Sequence, residues 1–121
     1  MKIVIAVMLS LVLWGCENDD AYRLGRQQWG DVLIEVQSRP GPVLIGMDEF
    51  LVMASDARGG PVHDLWIGMR VGDGDSWRQA IQDGFSGVYR KTLHVGSLHD
   101  QLRVRIKRGT EETEMSFPVA R

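Results

Sequence analysis

Over residues 31–119, apolar side chains recur at every second position, in short runs closed by glycine- and proline-rich turns about every ten residues. Successive side chains on an extended strand point to opposite faces, so this period describes strands with one face in a core and the other in water. The run "DVLIEVQS" sets Val32, Ile34 and Val36 against Leu33, Glu35 and Gln37, and "RPGP" stops it. The run "EFLVMAS" sets Phe50, Val52 and Ala54 against Leu51, Met53 and Ser55 before the turn "DARGGP". Then come "LWIGMRV", "GVYRKTLHV", "QLRVRIKR" and "ETEMSFPV". A short strand or turn over residues 43–45 completes a set of about seven, and no helix fits beyond one turn over residues 76–81. The expected fold is an all-β antiparallel sandwich with Val52, Ile67, Leu93, Leu102, Val104, Ile106 and Phe117 inward.

The last two runs specify their own pairing. Gly109-Thr110 stands between them, and glycine first in a two-residue loop suits a type II′ turn. Folding there sets Lys107 opposite Glu112 and Arg105 opposite Glu114 on one face, with Val104 opposite Met115 and Leu102 opposite Phe117 on the other. A slip of one residue would turn the apolar set to water. The basic row Arg103, Arg105 and Lys107 is therefore expected to be a paired, solvated face.

The chain starts differently. "MKIVIAVMLSLVLWGC" has a positive charge at Lys2 and then apolar residues to Trp14, broken only by Ser10. That run is shorter than the roughly 20 residues of a bilayer span, and a basic start with a short apolar centre marks a secretory signal. Leu13-Trp14-Gly15-Cys16 resembles the bacterial lipobox, which directs lipid to the cysteine sulfur. The resemblance implies a signal peptide over residues 1–15 and a mature chain starting at lipidated Cys16. An ordinary thiol there would adjoin Glu17, Asn18, Asp19 and Asp20, a segment too polar to bury it. Cys16 is also the only cysteine, so no intramolecular disulfide is available and the domain must hold by packing. Residues 16–28 lack a sustained period and are expected to form a polar tether, with the β-sandwich domain over residues 29–121. The membrane is then a partner through the anchor. Glu17, rather than aspartate, after the cysteine favours the outer membrane over the inner, with the domain facing the periplasm.

Composition adds exclusions. The chain is 44% hydrophobic and 25% charged with net charge -2, a balance of ordinary globular domains and not of nucleic-acid binders. It has no HExxH, GxSxG or phosphate-loop motif, and Ser97, His99 and Asp100 are neighbours along a turn and do not form a triad. An enzyme is not expected. Thioether and imidazole ligands suit Cu(I), which makes Met47, Met53, His63, His94 and His99 weak metal candidates, though none stands in a recognised ligand spacing. Met69 shares the parity of Leu65, Ile67 and Val71 and reads as core. No resident cofactor is implied, with copper the one alternative.

Three further residues point outward or to a crossover. Trp66 has the parity opposite to Leu65, Ile67 and Met69, and Trp77 follows the turn "GDGDS", so both are candidates for contact with a partner. Tyr89 at the start of its strand is placed like the tyrosine corner of Greek-key sandwiches. Asp56, Gly59, Pro61 and Val62, then Gly87 and Tyr89, follow the pattern "D-x-x-G-x-P-V" and "G-x-Y". On these residues, 46–119 resembles the YtkA-like and FixH-like periplasmic domains. The resemblance implies an immunoglobulin-like sandwich and, through the FixH-like proteins, assembly of copper-containing oxidases. Two functions stay open: a binding or assembly module for another envelope component, and a copper-handling or oxidase-assembly protein.

Overall fold

The alternating runs become strands stacked as two antiparallel sheets in the computed structural model, which describes residues 21–73 and 76–120. The strands are β1 Tyr22–Trp29, β2 Val32–Arg39, β3 Gly46–Ser55, β4 Trp66–Val71, β5 Arg78–Gln79, β6 Ile81–Gln82, β7 Val88–Val95, β8 Gln101–Arg108 and β9 Glu111–Pro118. One sheet runs β1-β2-β3-β7-β6 and the other β5-β4-β8-β9. Among the described residues seven strands are long and two are two-residue pieces; the sandwich is as expected, with residues 43–45 in a loop and not a strand, and with β1, β5 and β6 as additions.

The inward parity of each run fills the space between the sheets. Val32, Ile34, Val36, Phe50, Val52 and Ala54 meet Ile67, Met69, Leu102, Val104, Ile106 and Phe117 in one cluster, with none more than 4% exposed. All seven residues expected to be inward are buried. Leu51 has the outward parity yet is 2% exposed, since Gln37 and Arg90 stand beside it in register and their long side chains flank it.

The β8–β9 hairpin has the expected register at each pair named above, closed by Gly109 at φ 61. Its charges connect diagonally as well as directly. Arg105 lies 3.5 Å from Glu112 and 3.6 Å from Glu114, and Arg103 reaches both Glu114 and Asp73.

Two expectations are corrected. The polar tether was expected over residues 16–28, but Tyr22–Trp29 is a strand, paired with β2 through a two-residue turn at Gly30 and Asp31. Only Leu24 on it is buried and its register shifts between Arg23 and Gly25, so an edge strand with one core residue leaves almost no apolar period to read. Tertiary contacts hold it. Gln27 Nε2 donates to Ser116 O at 2.8 Å, and Gly25 lets the Phe117 ring approach to 3.0 Å of where a Cβ would stand. The helical turn expected at residues 76–81 is instead the pair of short strands β5 and β6, one on each sheet. Ala80 between them is buried and donates its N–H to Ile67 O at 2.8 Å. The expected signal peptide, Cys16 and the first residues of the expected tether lie outside the described residues.

Register also fixes which loops share an end. Tyr22 pairs with Ser38, Arg39 with Glu49, and Gly46 with Val95, so the start of β1, the β2–β3 loop and the β7–β8 loop gather at one end. The Gly30 and Gly109 turns and the β3–β4 connection lie at the other.

Candidate partner-binding face

On β4, burying Ile67, Met69 and Val71 sends Trp66, Gly68 and Arg70 to the outer face of the four-stranded sheet. The same alternation sends Arg103, Arg105 and Lys107 outward from β8. Pairing places Trp66 beside Lys107, Gly68 beside Arg105 and Arg70 beside Arg103. Four cations on adjacent strands would repel. The tryptophans intervene.

Gly68 makes room for the first. A Cβ there would lie 2.7 Å from Cη2 of Trp66, so the indole folds flat along its own strand over the glycine. Lys107 Nζ then sits 4.7 Å from the ring centroid. Trp77 arrives from the turn before β5 and carries two guanidinium groups, Arg105 at 4.3 Å and Arg70 at 4.6 Å from its centroid. Each such contact contributes about 0.5–1 kcal/mol when exposed and more when water is excluded. Both tryptophans are half-buried, where open exposure was expected. Glu112 and Glu114 on β9 and Asp73 beyond β4 edge the plate with negative charge. The result is a flat surface of indole and guanidinium with acids along its margin, able to take aromatic, apolar or anionic groups. Arg70 and Gly68 were not singled out from sequence, although glycine inside an apolar strand is a mark of close approach.

The metal candidates fall in separate places. His63 lies in the β3–β4 connection with its ring edge-on to Phe85, centroids 5.5 Å apart. Met53 lines a hollow on the other sheet with Leu33, Pro61 and Val88. Met47 and His94 are register partners on β3 and β7 at the Tyr22 end, both exposed, and His99 is in the nearby β7–β8 loop. Among the described residues no group of three or more His, Cys, Asp and Glu is arranged to hold a metal ion. Met69 is fully buried in the core.

Tyr89 crosses between the sheets. Its hydroxyl donates to Val62 O at 2.9 Å and accepts from Leu65 N at 3.2 Å, tying β7 to the β3–β4 connection. Burial pushes its phenol pKa up. Gly87, two residues earlier, has φ 76, and a Cβ there would stand 2.7 Å from Ala54 O, so the "G-x-Y" pattern marks a close backbone approach and a corner bond. Nearby, the hydrogen bond from Arg108 holds the Asp64 carboxyl below its ordinary pKa.

Compared with family models, curated proteins and solved structures, the chain finds no match.

Proposed function

We propose that this chain is a lipid-anchored, periplasm-facing lipoprotein whose sandwich is a non-enzymatic binding or assembly module for another envelope component. The single observation that carries the reading is the plate built from Trp66, Trp77, Arg70, Arg105 and Lys107. Indole and guanidinium are the groups most often found at the centre of protein interfaces. Here their stacking also fixes their orientation in advance, which lowers the ordering cost on binding. The lipobox at Cys16 supplies the anchor, and Glu17 favours the outer membrane.

The copper-handling alternative draws on less. Among the described residues Met47 and His94 are the one register-paired thioether and imidazole, while Met53 and His63 lie towards the other end. The immunoglobulin-like family resemblance supports either function.

Incorporating a photocrosslinking residue in place of Gln79, which is exposed and paired with Gly68 on this sheet, tests the module in intact cells. The expected outcome is a discrete heavier adduct that disappears when Trp66→Ala and Trp77→Ala are combined. A crosslinker in place of Arg58, in the exposed turn before Gly59, should give none. Equal adducts at both positions, or no adduct at position 79, would reject this face as the binding surface.

A further inference from the structure

The β2–β3 loop turns apolar side chains outward on a rigid frame. Val43 is buried, while Leu44, Ile45 and Met47 are each about two-thirds exposed, at 66%, 65% and 64%. Polar bonds hold the loop this way: Ser38 Oγ donates to Gly41 O at 2.6 Å, and the buried Asp48 carboxylate accepts from Leu44 N at 2.7 Å. Leu98 in the neighbouring β7–β8 loop is exposed too. Gly46 pairs with Val95, so these two loops stand side by side at one end of the sandwich. Solvent-facing leucine and isoleucine side chains on this loop make an apolar tip that none of the described residues covers.

The cleft beside the tip has a basic lining. A cleft of about 370 Å³ is lined by Met47 together with Arg70, Arg78, Lys91 and His94, and by the hydroxyls of Ser76 and Thr92, with no carboxylate among the described residues that line it. The acids close by are paired: Glu49, the register partner of Thr92, lies 3.5 Å from Arg90, and Asp73 lies 2.9 Å from Arg103.

Chain length says what this end faces. β1 begins at Tyr22, which pairs with Ser38 beside the same loop. Six peptide steps separate Cys16 from Tyr22, a reach of at most about 22 Å. If Cys16 carries the lipid, its bilayer lies within that distance of Tyr22, so the end of the sandwich at which β1 starts is the one tethered beside the membrane.

We propose that the Tyr22 end is a membrane-contacting surface, with Leu44, Ile45, Met47 and Leu98 dipping into the interface of an anionic phospholipid bilayer and Lys91 and Arg78 meeting its headgroup phosphates. Apolar burial and attraction of basic side chains to anionic lipid act together at such surfaces. The proposal rests on lipidation of Cys16 for its orientation. The tryptophan plate, on the outer face of the four-stranded sheet, adjoins this surface and shares Arg70 with the cleft.

The test uses the full chain, purified from membranes and reconstituted into vesicles, with an environment-sensitive fluorescent amino acid in place of Ile45, Leu98 or, at the far end, Thr110. Vesicles carry lipids with a quencher on the acyl chain, and palmitate labelling is followed in the same preparations. The expected result is a blue shift and quenching at positions 45 and 98 but not 110, stronger in phosphatidylglycerol than in phosphatidylcholine. Lys91→Gln with Arg78→Gln should remove that lipid preference while quenching persists. Labelled chains in which position 45 is quenched no more than position 110 would overturn the proposal and leave the anchor standing. Quenching at position 45 in chains that take no palmitate would uphold the contact and remove the anchor. A blue shift at position 45 without quenching, accompanied by a crosslinked dimer, would assign the tip to a second copy of the chain and overturn the proposal.

Discussion

Tyr89 holds the crossover between the two sheets through a single oxygen. Val62 O and Leu65 N both spend their hydrogen bonds on it, so Tyr89→Phe leaves two polar backbone groups without that partner. The expected loss is about 1–3 kcal/mol, read as a lower urea midpoint with an unchanged slope. The hydroxyl must keep its proton to donate to Val62 O. Burial raises the folded pKa, while the unfolded phenol ionises near 10. Between those values the folded chain keeps a proton that the unfolded chain has lost, so this contribution is complete below about pH 10 and falls as pH rises further. Denaturant melts at about pH 8 and pH 11 should therefore show an alkaline loss of stability that is smaller in Tyr89→Phe. An equal loss in both chains would mean that this phenol titrates as it does in water.

At the scale of elements, β8 is the strand on which the second sheet depends. It pairs with β4 on one side and β9 on the other, and Val104 stands between Met69 and Met115 in register, fully buried. Val104→Ala should lower stability by about 1–3 kcal/mol through lost burial and the space left behind. An unchanged urea midpoint would put the wrong face of β8 in the core. The edges are closed by less regular means. β1 lies against β9 through Gln27 and Gly25, and residues 78–82 pass from one sheet to the other around buried Ala80. Short or irregular edges of this kind discourage pairing with another chain.

At the scale of the whole molecule, the tip lies at the Tyr22 end and the plate on the outer face of the four-stranded sheet, and the proposed anchor is the first feature to test. Cys16→Ser should abolish palmitate incorporation and shift the protein out of the lipid-modified membrane fraction. Incorporation equal to the unaltered chain would discard the lipobox reading. What the sequence determined by itself was local. Alternation assigned the faces of the long strands other than β1, and a two-residue loop at Gly109 set the register of β8 on β9, because each depends only on residues near in the chain. Only the tertiary structure decided the rest. Beyond its ladder with β2, β1 is tied to the second sheet by a hydrogen bond between residues 89 positions apart. Trp77 finds Arg70 and Arg105 only after β4 and β8 have paired, and the exposed tip meets the start of β1 only because two loops and a strand end at the same edge. Periodicity records which side of a strand is buried, but it carries no information about which distant strand will lie beside it.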